Sequence, residues 1–506
     1  MGNHSNYLFM PRYSTKNDKS QSQDCLIIPL FEDKLTPPDQ FGDLVANAVK
    51  TKDFEGKKGQ AIFLYTGNKV ISRVLLLGLG KRKDFKLRSW KQIIGTAVIS
   101  CQGKKAEKIG LVIPGDVGEF VDTKVLAKST VVAIETANYS FDEHKSHEDA
   151  IVKSLKSVEF ILDKKNWRVW NKGVEEGVII GGAVNFTRHL GNTTPSTMTP
   201  TFLAGEAQRI VKKNSKLKIK VLAYPEIKRL GMGCFLGVAQ GSSEEPKFII
   251  VEYYGTTKSQ KPTVLVGKGV TFDSGGLSLK PDPYMCNMKF DMLGGATVLG
   301  ILDAVSKLGL KKNVIALIPA CENMPGGKAY RPDDILINME GKSVLVDNTD
   351  AEGRLILCDA LSYAKRFKPK EVVDFATLTG SCFVALGNER SGLFSPEDKI
   401  VEKLLSSSET VGEQLWRLPM GEEYSEAMKC EIADIRNAGG VGERRYGGAS
   451  TAAAFLQFFT LDKDGNSEYP WAHIDLSCSF YVGKGKPYIR GGANGFGVES
   501  LVEYLS

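Results

Sequence analysis

The chain has 506 residues, 42% of them hydrophobic, with 66 Lys and Arg against 59 Asp and Glu and a net charge of +7. That length exceeds the ~250–300 residues at which a single hydrophobic core stops growing, so two domains are expected. The nine cysteines are scattered and form no Cys-x-x-Cys pair, which excludes a disulfide framework and suits reduced thiols in the cytoplasm. No apolar run reaches the ~18–20 residues of a membrane span, and the Lys-rich stretches lack interleaved aromatics, which disfavours nucleic acid as a partner.

Residues 1–24 are polar and turn-rich and read as a flexible N-terminal extension without the apolar core of a secretory signal. Basic and hydroxyl residues outnumber acidic ones there, so a mitochondrial transit peptide is the second reading. From Cys25 short apolar runs alternate with amphipathic stretches. Strands are expected at 25–30, 61–65, 74–79 and 109–113 and helices at 86–101 and 122–138, giving a first α/β domain over 25–165 whose role is packing and assembly. Within it Gly78-Leu-Gly-Lys-Arg-Lys83 opens like a dinucleotide fingerprint but lacks the third glycine.

The boundary is expected between 160 and 180. Residues 166–506 then alternate strands (217–223, 247–254, 262–266, 313–319, 372–377, 472–476) with helices (293–307, 354–366). Such alternation predicts a larger C-terminal α/β domain with a mainly parallel sheet covered by helices.

The chemistry concentrates in two segments of that domain. Asn348-Thr-Asp350-Ala-Glu352-Gly-Arg354-Leu355 places two carboxylates and a guanidinium before an apolar helical run. Upstream lie Gly267-Lys268-Gly269, Asp273-Ser-Gly-Gly-Leu-Ser-Leu-Lys280 and Met288-Lys-Phe-Asp291. Hard divalent cations prefer oxygen ligands, and a close pair of cations needs carboxylates able to bridge them, a need that Asp273, Asp291, Asp350 and Glu352 could meet. Asp350 and Glu352, two apart on an extended segment, would project to one side, at a strand-to-helix junction of the kind where open α/β sheets bind ligands.

These motifs resemble the leucine aminopeptidase (cytosol aminopeptidase) family, whose signature reads NTDAEGRL. Further matches lie in Asn323-Met-Pro-Gly-Gly-Lys-Ala-Tyr-Arg-Pro332, Ala376-Thr-Leu-Thr-Gly380, Trp416-Arg-Leu-Pro419 and Trp471-Ala-His-Ile-Asp475. The resemblance covers about residues 170–506 and implies a two-metal exopeptidase, active as a homohexamer on peptides with a free N-terminus. It implies that Lys268, Asp273, Asp291, Asp350 and Glu352 hold two divalent ions, zinc or manganese, with magnesium as the alternative. Lys280 would then be the catalytic electrophile, and Arg354 would hold the bicarbonate that serves as general base. Met288, Thr377, Gly380, Ser477 and Phe480 match the pocket for the N-terminal side chain. Leu476-Ser477-Cys478 replaces the family's usual apolar-Ala-Gly continuation, which makes "aminopeptidase" the firmer expectation and "leucine" the looser one. His473 is expected to be structural. A catalytically silent scaffold or nucleic-acid-binding relative is the alternative reading, and a two-metal phosphohydrolase a weaker third.

Overall fold

A computed structural model of the chain describes residues 10–16, 23–37, 42–67, 69–147, 151–439 and 446–506. The contacts divide it into two units, one of Met1–Asn185 with Val482–Gly491, the other of Phe186–Tyr481 with Gly492–Ser506.

The first unit holds β1 (Arg12–Lys16), β2 (Cys25–Leu30), α1 (Gly42–Lys50), β3 (Ala61–Tyr65), β4 (Arg73–Gly78), α2 (Leu87–Gly103), β5 (Lys108–Val112), α3 (Thr123–Asn138), β6 (Ser157–Ile161) and most of α4 (Trp167–Asn192). Its six-stranded sheet has the order β1-β6-β5-β2-β4-β3, parallel except for β3. β2 is buried along its whole length because both its faces are covered. Leu26, Ile28 and Leu30 pack with Val45 and Ala48 of α1, whereas Cys25 and Ile27 pack with Trp90 and Ile94 of α2 and with α3.

Residues 12–16, which the sequence reading leaves in an extension, form β1. The strand has no apolar run to announce it. It is held by parallel pairing to β6 and by the Tyr13 ring stacked 5.7 Å from Phe160. The division at Asn185 also lies beyond the expected boundary, because α4 is one continuous helix.

Tyr13 donates a hydrogen bond to Oε1 of buried Glu135 at 2.7 Å. Burial, partly offset by that bond, lifts the Glu135 pKa to about 8. The folded chain therefore keeps a proton that an unfolded glutamate loses near ~4.3. Stability must fall as pH rises from there to about 8, by up to ~1.4 kcal/mol per pH unit. Glu135→Gln is expected to flatten this dependence, read as urea midpoints at pH 5 and pH 8; an unchanged slope would assign the pH dependence elsewhere.

The second unit continues with α5 (Pro200–Lys212), β7 (Leu217–Leu222), α6 (Tyr224–Arg229), α7 (Gly233–Ala239), β8 (Lys247–Tyr254), β9 (Thr263–Gly267), β10 (Gly269–Asp273), α8 (Leu293–Leu308), β11 (Asn313–Asn323), β12 (Ile335–Ile337), β13 (Ser343–Leu345) and α9 (Glu352–Ala364). It closes with β14 (Glu371–Ala376), α10 (Gly380–Leu386), β15 (Ser391–Phe394), α11 (Asp398–Val411), β16 (Leu415–Arg417), α12 (Glu422–Glu426), β17 (Ile435–Arg436), α13 (Gly448–Phe458), β18 (Trp471–Asp475) and, after the hairpin strands β19 (Phe480–Lys486) and β20 (Ile489–Ala493), which belong mostly to the first unit, α14 (Val498–Leu505).

Its main sheet runs β16-β15-β18-β14-β9-β11-β8-β7, with β10 also on β11. The centre, β18-β14-β9-β11, is parallel; β15, β8 and β7 introduce antiparallel pairings toward the edges. Val264 and Val266 of β9 join α7, α9 and α13 in one core, and α8 packs on the same central strands. The molecule is thus a two-domain α/β protein with helices on a mixed, centrally parallel sheet.

Candidate active site

The carboxyl ends of the central strands converge on one buried acidic cluster. Lys268 follows β9, Asp273 ends β10, Thr377 follows β14 and Glu352 opens α9. Asp291 lies on a short 3-10 turn, Met288–Met292, leading into α8.

Two lysines organise four carboxylates. Lys268 Nζ lies 2.7 Å from Asp291 Oδ2 and 2.7 Å from Glu352 Oε1, and donates to the Thr377 carbonyl at 2.9 Å. Lys280 Nζ lies 2.8 Å from Asp273 Oδ2 and 2.6 Å from Asp350 Oδ1. Oxygens of Asp273, Asp350 and Glu352 fall within 4.8 Å of one another. The structure therefore brings together all six predicted lysine and carboxylate residues.

Such packing of like charge leaves a clear electrostatic record. Burial lifts Asp291 to about 8, its neighbours Glu352 and Asp273 pushing the same way and Lys268 opposing. Asp350 rises to about 7 through burial and through Asp273 and Glu352. For Glu352 burial is outweighed by Lys268 and Lys280, and its pKa falls. Burial opposes the charge on Lys268, but Asp291, Glu352 and Asp273 overcome it and hold the ammonium well above its ordinary range. Lys280 behaves alike. Asp291 Oδ2, Asp350 Oδ1 and Glu352 Oε1 are buried and accept no hydrogen bond beyond these ion contacts. Four carboxylates against two ammoniums, three of the carboxylates with oxygens within 4.8 Å of one another, make a donor set that fits hard divalent cations.

The local sequence explains the geometry. Gly275 and Gly276 both adopt positive φ, +87° and +65°, so the chain turns back from Asp273 and delivers Lys280 beside it. Ser278 and Thr349 then clasp the two catalytic segments: Ser278 N donates to Thr349 Oγ1 at 2.7 Å, and Thr349 N to Ser278 Oγ at 3.1 Å. Glu352 is not on an extended segment as the sequence suggested. It is the first residue of α9, where a carboxylate interacts favourably with the helix N-terminus.

A Cβ on Gly353 would stand 2.7 Å from Lys268 Cε and 2.8 Å from its Nζ. Gly353→Ala is therefore expected to displace the ammonium while leaving the backbone intact. Turnover should fall roughly 10–100-fold, about 1.4–2.7 kcal/mol, with little change in urea midpoint; a fully active variant would show that Lys268 need not sit there.

Arg354 is buried, and burial lowers its pKa to about 10. Its Nη1 donates to the Asn437 carbonyl at 2.8 Å, while its buried Nε has no acceptor among the described residues. Thr377 Oγ1 donates to Asp291 Oδ1 at 2.7 Å, so it belongs to the cluster. Met288 begins the turn that carries Asp291 and is half-buried. Phe480 stacks 4.6 Å from Phe290, the residue before Asp291. Gly380 is the exposed first residue of α10. Ser477 is buried and its hydroxyl is committed to the Arg390 carbonyl at 2.7 Å. His473 is fully buried against Asp374, Nδ1 to Oδ1 2.5 Å, as a structural histidine.

Three supports escaped sequence reasoning. Asn323, wholly buried at the end of β11, donates Nδ2 to Asp273 Oδ1 at 2.8 Å and to the Thr349 carbonyl. Asn437 accepts from the backbone of Asp347 and Asn348 and donates to the Asn348 carbonyl. Asp475 takes the Thr379 hydroxyl at 2.7 Å and the Leu378 N–H at 3.1 Å, fixing the loop after β14. Asn323 and Asp475 stood inside quoted motifs, but nothing in the sequence marked Asn437. A second buried group, Cys234, Cys358 and Asp359, is explained by capping: Asp359 accepts the N–H groups of Phe235 and Met339.

Fold and site together place the chain among α/β enzymes that work from a buried carboxylate cluster at the ends of parallel strands. Comparison with known proteins narrows the class. Residues 185–502 match the cytosol aminopeptidase family catalytic domain and residues 27–148 the N-terminal domain of that family. A probable cytosol aminopeptidase of Paraburkholderia phymatum is 39% identical over 499 residues, covering 97% of this chain and 96% of the relative. One from Burkholderia mallei is 40% identical over 497 residues, covering 95% and 94%. Among solved structures, a mutant tomato leucine aminopeptidase superposes with TM-score 0.84 at 29% identity, covering 99% of this chain and 97% of that one. The bottromycin maturation enzyme BotP in complex with Mn superposes with TM-score 0.81 at 27% identity, covering 96% and 99%. The chain belongs to the cytosol aminopeptidase family. Its activity is that of an aminopeptidase, a hydrolase of peptide bonds.

Proposed function

We propose that the protein is a two-metal aminopeptidase that removes N-terminal residues with aliphatic, leucine-like side chains. The observation that carries this reading is the pairing of Lys268 with Asp291 and Glu352 beside that of Lys280 with Asp273 and Asp350. Lys268, Asp273, Asp291, Asp350 and Glu352 would hold the ions, and these oxygen and amine donors suit zinc, manganese or magnesium, with availability deciding among them. When bound, two dications supply Lewis acidity toward the scissile carbonyl and acidify water to near-neutral pKa.

The chain's own residues do the rest. Lys268 would serve as a ligand only as the neutral amine, a form that the positive charge of a bound ion would favour against the pull of Asp291 and Glu352. Lys280 remains cationic and stabilises the oxyanion of the tetrahedral intermediate. Arg354 offers its unpartnered Nε to a small anion, bicarbonate, which supplies the general base. Met288, Thr377, Gly380 and Phe480 bound the side-chain pocket, and Met288 adapts to aliphatic groups. Ser477 acts as backbone support there, its hydroxyl being engaged by Arg390. The assembly is a homohexamer in the cytoplasm.

The reading is tested by steady-state hydrolysis of Leu, Met, Phe, Ala and Arg amides by protein stripped of metal and reloaded with Mn²⁺ or Zn²⁺. Leu and Met amides are expected to turn over fastest and only with metal. Folded, metal-loaded protein silent on all five would overturn it. A native mass six times that of the chain is expected from light scattering.

A further inference from the structure

The first unit contains a cavity of about 460 Å³ that the peptidase chemistry does not use. Its volume falls in the ~300–1,000 Å³ range of small-molecule sites.

Its position is distinctive. β2 and β4 are parallel neighbours, but the chain leaves β2 toward α1 on one face of the sheet and leaves β4 toward α2 on the other. Diverging connections open a crevice at the strands' carboxyl ends, which is where open α/β sheets bind ligands. The cavity lies in that crevice, lined by Glu32 beyond β2, by Leu79 to Lys81 beyond β4 and by the first turns of α2. Backbone bonds tie the loops together: Glu32 N to the Gly80 carbonyl at 2.9 Å, and Gly80 N to the Gly56 carbonyl at 2.9 Å. This fixes Lys57 and Lys58 at the rim.

The lining has two chemistries. Lys58, Lys81 and Lys86 are exposed and have no ion-pair partner among the described residues, and Lys57 is held by Glu55. On the apolar side, half-buried Phe85 lies 6.3 Å from Trp90 and 5.8 Å from Phe120, which is itself 42% exposed. Four lysines against Glu32 and Asp84 leave the lining net positive, which attracts phosphate, and the exposed part of the half-buried Phe85 ring offers a base a stacking surface. Glu32 and Asp84 add acceptors for sugar hydroxyls. The site holds no histidine and no carboxylate pair with raised pKa, so its chemistry is recognition.

We propose that this crevice binds a nucleoside phosphate, with the base on Phe85 and the phosphate between Lys58, Lys81 and Lys86. Gly78-Leu-Gly-Lys-Arg-Lys83 then serves as the strand-end turn of the crevice, its missing third glycine notwithstanding.

Isothermal calorimetry on the full-length, metal-loaded protein tests this with AMP, adenosine and inorganic phosphate as separate probes. AMP is expected to bind at least about tenfold more tightly than either fragment. The double variant Lys58→Glu/Lys81→Glu should weaken AMP by about tenfold or more, while hydrolysis of Leu amide stays at the wild-type rate and shows the variant folded. AMP binding should persist in Asp350→Ala. No heat with AMP at millimolar concentration, phosphate binding equal to AMP, indifference to the lysine variant or loss in Asp350→Ala would each overturn the proposal.

Discussion

Replacing Asp350 by Ala is expected to lower turnover of a good aminoacyl amide by about 10⁴-fold or more, ~5.5 kcal/mol of transition-state stabilisation. Asp350 Oδ1 faces Lys280 at 2.6 Å and shares a 4.8 Å sphere with oxygens of Asp273 and Glu352. Without it the donor set loses a ligand, and Lys280 keeps only Asp273. The substitution is nevertheless not expected to unfold the protein. Burial and the charges of Asp273 and Glu352 already lift Asp350 to about 7, so in metal-free protein one repelling charge is removed. Thermal melts separate the two effects. Wild-type protein at 100 times the dissociation constant for Mn²⁺ should gain ~2.7 kcal/mol from binding, and the variant far less at the same concentration. Equal metal stabilisation in both proteins would remove Asp350 from the ligand set.

Lys280→Met is expected to have the next largest effect. Methionine keeps much of the lysine's length and removes its charge, so packing beside the Gly275-Gly276 turn is preserved. The loss should appear in kcat, about 10²–10³-fold, the size seen when one oxyanion donor is deleted, with KM nearly unchanged. Lys280→Arg should recover little of it, because a planar guanidinium cannot occupy the point between Asp273 Oδ2 and Asp350 Oδ1 as an ammonium does. A KM effect with intact kcat would instead assign Lys280 to substrate binding.

What could be read in advance follows from how locally each feature is encoded. The strand at 247–254 and the helix from 293 were legible because β8 and α8 are rich in apolar residues, Phe248 to Val251 in the one and Val298 to Leu302 in the other. The six lysine and carboxylate residues were legible because a dense motif carries them. β1 was not, since its stability lies in partners more than a hundred residues away, Ser157 to Ile161 and the Phe160 ring. Nor was the start of α9. Periodicity pointed to Arg354, whereas the helix begins at Glu352, whose carboxylate suits the helix terminus. Asn437 illustrates a different limit. Its side chain binds backbone groups of Asp347, Asn348 and Ala351, and its carbonyl accepts from the Arg354 guanidinium; a lone asparagine in a loop carries no periodic or compositional mark.

The order of strands in the larger sheet also dictates when the enzyme can become active during its own synthesis. β18, residues 471–475, is made well after β14 and β15, yet it inserts between them. Until it arrives, β14 presents an open edge beside the loop that carries Thr377, and Asp475 is not there to hold Leu378 and Thr379. A nascent chain can carry every carboxylate and both lysines without a finished catalytic centre. Hydrolytic power is thus withheld until β18 has been made and has entered the sheet.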